Sequence, residues 1–259
     1  MSMHKVPAEK GIKWLASGVS LILSKPAVFL VMGLILAAIN LVPVLGGLAL
    51  AILGPALLGG IAFAAREHSL GRSTDVGQLF RAFQQPGKIG PMLLLCLPGV
   101  VGGFALLILF FVFAASALLG GGFAALENGS AANMLGTFGG GALILLLISL
   151  AIVLVMYALQ FFAIPRVMLD NIEPFAAMRE SLGACRTNAG AFLLLCVVLL
   201  IVFVVLAVIL MFIPLLGWLA LMTAGWAVTG CAMYVAYVDV FAPEPTAQPL
   251  PPAAEPPTT

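Results

Sequence analysis

Eleven cationic side chains are the residues best placed to do chemistry in this chain, and they fall in three segments. Lys5, Lys10, Lys13 and Lys25 make the first. Arg66, Arg72, Arg81 and Lys88 make the second, and Arg166, Arg179 and Arg186 the third. Their chemistry is attraction to phosphate and carboxylate, and each cation near a bilayer surface adds about 1 kcal/mol toward anionic lipid. Lys10, Lys13, Lys25, Arg66, Arg72, Arg81, Lys88, Arg166, Arg179 and Arg186 are therefore the candidate contacts to lipid headgroups or to a partner protein.

The other reactive types offer less. His4 and His68 both lie outside the apolar stretches. Neither a His-Glu-x-x-His zinc site nor a Ser–His pair within a membrane can be built from them. Cys96, Cys185, Cys196 and Cys231 have no C-x-x-C spacing and read as small apolar side chains in reduced form. Gly120–Gly122 and Gly139–Gly141 follow no strand, so they do not read as a phosphate cradle. Asn128-Gly129-Ser130 matches a glycosylation acceptor, which means little in a chain of bacterial appearance. No catalytic residue, cofactor or metal site is assigned, and a non-enzyme is expected.

No Asp, Glu, Lys, Arg or His lies in the central part of any apolar stretch, and Asp239 comes nearest. Proton- and sodium-coupled transport usually needs such a residue. The uncharged polar groups there include Asn40, Gln160, Thr223 and Thr229. A bare amide in hydrocarbon costs several kcal/mol, so Asn40 and Gln160 should hydrogen-bond between helices. The alternative is a polar ligand path.

These groups must be positioned by apolar helices. The 259 residues are 63% apolar and 8% charged, with a mean hydropathy of +1.21; a soluble domain is roughly 25% charged. Spans of about 20 residues are expected over about 26–42, 44–65, 91–119, 142–164, 191–213 and 215–241, as one domain over 1–241. Residues 242–259 read as a disordered Pro-rich tail, and the first 25 residues do not read as a cleavable signal. Basic residues are retained on the cytoplasmic side. The expected topology is thus three hairpins with both termini in the cytoplasm of a bacterial cell, in a multi-pass inner-membrane protein.

An amphipathic interfacial helix should precede each hairpin. In the first, over 7–24, Ile12, Leu15, Val19 and Ile22 form the apolar stripe and Trp14 sits at headgroup level. In the second, over 75–83, Asp75 and Gln78 have capping-box spacing, with Leu79, Phe80 and Phe83 on one face. The third covers 167–190. Pro98, Gly99, Gly102 and Gly103 should kink the third span, and residues 120–141, with Glu127, read as a Gly-rich outer loop. Residues 43–65 align without a gap to 214–236, matching Pro43 with Pro214, Gly46 with Gly217, Gly54 with Gly225 and Gly59 with Gly230. Pro43, Gly46, Pro214 and Gly217 are the expected hairpin turns: proline ends one helix and glycine permits the reversal. Ala56, Gly60 and Ala64, and Gly99 with Gly103, make small-residue stripes for close helix packing.

One stretch is recognisable as a unit. It runs from Phe162-Ala163-Ile164-Pro165 through Glu173-Pro174-Phe175-Ala176-Ala177 and Ser181 to Asn188-Ala189-Gly190-Ala191-Phe192. With the opening Pro7-Ala8, Gly11 and Trp14-Leu15, it resembles the uncharacterised six-span bacterial inner-membrane proteins similar to the YciC type and to the membrane domain of glycerophosphodiester phosphodiesterases. The resemblance implies an all-α integral membrane bundle and no catalytic residues. The expected partners are membrane lipids, with anionic headgroups on the cytoplasmic side, and a protein partner or a second copy, but not nucleic acid. The expected function is to assist or regulate a partner protein or to organise lipid. The alternative is a permease or lipid-translocating subunit.

Overall fold

The computed structural model describes residues 3–118 and 131–241. The expected tail, Glu127 and the Asn128 acceptor lie outside the described residues. Every regular element among the described residues is helical. In chain order they are α1 (Lys10–Ser24), α2 (Pro26–Asn40), α3 (Leu45–Ser69), a 3-10 helix (Val76–Phe80), α4 (Arg81–Gln84), α5 (Ile89–Leu94) and α6 (Leu97–Ala117). There follow α7 (Ala131–Phe161), α8 (Ala163–Asp170), α9 (Pro174–Thr187), α10 (Ala189–Leu210) and α11 (Pro214–Phe241). Residues 131–141, expected as loop, instead begin α7. Glycine is less disruptive to apolar helices than to soluble ones, and it is frequent in membrane spans.

Five stretches are long and apolar enough to cross a membrane: Leu45–Ser69, Ile89–Ser116, Gly141–Asp170, Ala189–Leu210 and Leu215–Phe241. A sixth exists if α1 and α2 count together, although they meet at 108°. Pro26 opens α2, and the residue before a proline is pushed out of helical geometry.

The core is concentrated at one end of the molecule. Gly54 to Ala62 of α3 is a continuous buried run, packed by α2, α11, α8 and the 3-10 helix. The outer parts of α6, α7 and α10 are bare: Phe104, Ile108 and Phe111, Leu143 and Leu146, and Leu200, Ile201 and Val208 are all well exposed. α1 lies across α10 and α11, on a face that shares only Ile22 with the expected apolar stripe. Its buried residues are Gly11, Trp14, Gly18 and Ile22, while Ile12 is half exposed. The reason is steric. A Cβ on Gly11 would strike the Ala191 carbonyl, and one on Gly18 would lie 3.0 Å from the Ala232 amide. Small residues let the backbones touch, so the packing stripe contains few large apolar side chains. Trp14 fills the space beside them and is fully buried.

The two aligned turns share one device. A Cβ on Gly46 would collide with the Ile39 carbonyl, and one on Gly217 with the Leu210 carbonyl. Each glycine thus meets the backbone seven residues earlier. Neither is there for its backbone freedom: the positive φ falls on Val44, at 63°, where Leu45 N–H donates to the Pro43 carbonyl at 2.7 Å. Positive φ is costly for a β-branched residue.

The expected kink in the third span is a break at Leu95–Cys96, between α5 and α6. Pro98 stands in the first turn of α6. Gln160 Nε2 donates to the Leu95 carbonyl released there, at 2.9 Å. Of the small residues on α6, Gly99 and Gly102 face α7, against Gln160 and Met156, whereas Gly103 faces open space. Gly60 of α3 admits the backbone of Leu79. Leu79 is consequently buried while Phe80 and Phe83 point outward, so the three do not share one face.

Candidate functional site

The charged side chains of the described residues gather at the packed end, and the ten candidate cations divide sharply by environment. Arg179 and Arg186 on α9 are exposed. Lys13 is exposed and reaches Glu9 at 3.5 Å, a geometry worth well under 1 kcal/mol. Lys10 pairs with Asp239 at 3.0 Å, and Arg72 with Glu67 at 3.1 Å. Lys25 Nζ donates to the Thr74 carbonyl at 2.7 Å, tying the α1–α2 corner to the loop after α3. Arg66 is half-buried, and Arg81 lies 5.2 Å over the Phe63 ring.

Lys88 and Arg166 do not offer their charge to the surface. Lys88 is buried and donates to the carbonyls of Val167 at 2.9 Å and Met168 at 3.2 Å and to Asn171 Oδ1. It satisfies the C-terminal carbonyls of α8, where a cation is favoured. Asn171 closes that helix in the left-handed conformation. Burial pushes the Lys88 amine below its ordinary value, and the nearby Asp170 charge pulls it partly back.

Arg166 is also buried. Its Nε and Nη2 reach Glu180 Oε2 at 3.0 and 2.7 Å, its Nη1 reaches Asp170 Oδ2 at 2.5 Å, and its guanidinium lies 4.8 Å over Phe241. Tyr237 O–H donates to the other Asp170 oxygen at 2.7 Å. α8, α9 and α11 are locked together by this one side chain. Asp239 has a similar role for α1, accepting from Trp14 Nε1 at 2.8 Å as well as from Lys10.

Two cavities open at this end, the first lined mostly by polar groups and the second mixed. One, of about 250 Å³, lies between α3 and the segment after it, and Phe63, Glu67, Asp75, Gln78, Arg81 and Gln84 line it. Asp75 caps the 3-10 helix as expected, accepting from Gly77 N–H at 2.7 Å. Gln78 does not complete a capping box; its amide donates to the Ser73 carbonyl at 3.0 Å. The other cavity, of about 290 Å³, lies beside Lys88, Asn171 and Glu173. Among the described residues, no group of three or more His, Cys, Asp and Glu side chains is arranged to hold a metal ion.

Ser181 and Asn188 were legible only as part of a familiar stretch, without a role. Asn188 is buried; its Oδ1 accepts from Val6 N–H at 2.7 Å and its Nδ2 donates to the His4 carbonyl at 3.2 Å. His4 N–H in turn donates to the Val240 carbonyl at 3.0 Å. A polar residue at the junction of two helical patterns, beside small residues, was the available signal.

Helices of this length and apolarity, exposed over their outer parts, define an all-helical protein of candidate membrane spans. Comparison with known protein families, curated proteins and solved structures finds no match for the chain.

Proposed function

We propose that this chain is a multi-pass protein of a bacterial inner membrane, with six spans in three hairpins and both termini in the cytoplasm. It acts without catalysis, by assisting or regulating a partner protein or by organising lipid through its basic face. The observation that carries this reading is the coincidence of two asymmetries. The bare apolar flanks of α6, α7 and α10 need a hydrocarbon solvent, since contiguous exposed apolar surface on this scale is foreign to soluble monomers. The exposed cations lie away from those flanks: Lys13 on α1, Arg72 in the loop after α3, and Arg179 and Arg186 on α9. The 108° corner between α1 and α2 suits a helix lying in the interface followed by one that crosses. The resemblance to the YciC type supports the same topology.

A permease or lipid translocator would need a continuous polar path. Gln160, one of the groups such a path would use, is engaged with the Leu95 carbonyl, which favours the non-transporting reading. The test is labelling of single cysteines introduced at Lys13, Arg72, Arg179 and the 119–130 segment in intact cells and inverted vesicles. Labelling of the first three only from the cytoplasmic side, and of the last only from the outside, is the expected result. Any other sidedness overturns the topology. Partner capture from native membranes, with lipid analysis of the purified protein, then separates the functional options.

A further inference from the structure

We propose that the cavity at the end of α3 holds a phosphoethanolamine headgroup: Arg81 takes the phosphate, and Glu67, Asp75 and Gln78 take the ammonium. This inference rests on the membrane reading above, which puts the cavity at the headgroup boundary. Phe63 lies six residues before the end of α3, roughly 9 Å along the helix. The cavity, at about 250 Å³, is smaller than the roughly 300–1,000 Å³ of drug-sized sites and suits a headgroup.

The charges select the ligand class. One guanidinium and two carboxylates line the space. An anion alone would meet Arg81 but be opposed by Asp75 and, less strongly, by Glu67, whose charge Arg72 partly offsets. A cation alone would be opposed by Arg81. A zwitterion with a phosphodiester and an ammonium separated by two carbons answers both. The unmet hydrogen bonds match it. Arg81 Nε is an enclosed donor without a partner, and Gln78 Oε1 an enclosed acceptor without one. Such orphans are rare and costly. Each carboxylate also keeps one oxygen free among the described residues, since Glu67 bonds Arg72 through Oε1 and Asp75 bonds Gly77 through Oδ1.

A primary ammonium fits better than a trimethylammonium. The former can donate to Gln78 Oε1 and to the carboxylates, and the latter cannot. The latter is held by aromatic cages, and the Phe63 ring here already carries Arg81. The lipid, rather than a soluble phosphoethanolamine ester, is favoured by Phe80 and Phe83. They are exposed on the same segment, with ring centroids 6.3 Å apart, and can enter the acyl boundary beside the headgroup.

The experiment titrates the purified full chain in detergent micelles with short-chain phosphatidylethanolamine, phosphatidylglycerol and phosphatidylcholine, and with soluble glycerophosphoethanolamine. Phosphatidylethanolamine should bind saturably and about tenfold more tightly than the other two lipids, a difference of about 1.4 kcal/mol. Arg81→Gln should weaken both phosphatidylethanolamine and phosphatidylglycerol. Glu67→Gln with Asp75→Asn, which keeps the local hydrogen bonds, should weaken phosphatidylethanolamine and strengthen phosphatidylglycerol. Equal binding of the three lipids, or variants that leave the preference unchanged, overturns the site. Soluble glycerophosphoethanolamine binding as tightly as the lipid overturns the lipid as its source. If cysteine labelling supports the topology while this titration fails, the headgroup site alone is wrong; if the labelling fails, the membrane reading fails with it.

Discussion

The hydroxyl of Ser181, on α9, accepts the backbone N–H of Phe162 at 3.0 Å. The same oxygen donates to the Ala158 carbonyl at 2.6 Å, so it stands inside the helical ladder between residues 158 and 162. Pro165 lies just beyond, and this insertion stabilises the break between α7 and α8. Ser181→Ala should destabilise the fold by about 1–3 kcal/mol, while Ser181→Thr keeps the hydroxyl. Hydrogen exchange at the Phe162 amide reports it; unchanged protection in the alanine variant would contradict the insertion.

The turn after α2 makes opposite demands on neighbouring positions. Gly46→Ala should lower folding yield strongly, because its Cβ meets the Ile39 carbonyl, whereas Gly47→Ala should be silent, because nothing lies within 4 Å. Val44→Gly should unfold no earlier than the parent, because glycine relieves the positive φ of an exposed valine. Melting curves of the three in one detergent compare them directly.

Asp239→Ala leaves the buried Trp14 N–H without its acceptor and should cost about 2 kcal/mol. Trp14→Phe removes the donor but leaves Asp239 its Lys10 partner. The double variant should therefore be less damaging than the sum of the two single changes. Strict additivity of the unfolding energies would show that the bond is not the source of the loss.

Arg166→Lys preserves the charge but not the fork that reaches Glu180 and Asp170 together. A loss of about 2–4 kcal/mol is expected, since lysine cannot replace a buried planar contact. Arg179→Lys, on the exposed face of the same region, is the control and should leave the melting temperature unchanged.

Burial pushes the Cys185 thiol up to about 12, with a smaller contribution from Cys196. The folded value exceeds the unfolded one, so the contribution of this group to stability is complete below about pH 9 and is lost as pH rises toward 12. Maleimide should spare Cys185 at pH 8 in the folded protein and label it in denaturant. Mass spectrometry of tryptic peptides reads the difference.

The all-helical build and the long apolar helices were legible in the sequence because apolar length is a coarse signal. The matched glycines at 46 and 217 were visible as positions, but their reason was not. Sequence pointed to backbone freedom, and the structure assigns them to a close approach to the preceding helix. The packing face of α1 was not legible, because it is built on Gly11 and Gly18, which an apolar pattern passes over. Lys88 and Arg166 read like any other cation in a basic segment. Only the fold reveals that one satisfies the carbonyls ending α8 and the other joins three helices. The cavity at Arg81 needs residues from 63 to 84 brought together by a 3-10 turn, which no spacing rule predicts.

The seating of α1 on α10 and α11 has a consequence for biogenesis. Residues 10–24 are made well before the carboxylate that receives Trp14, which lies 225 residues further along the chain. Until then the tryptophan lacks the acceptor that its buried N–H has in the folded chain. A chain truncated before Asp239 should therefore leave the Trp14 N–H without its acceptor, and its α1 should be cut more readily by added protease than α1 of the full chain.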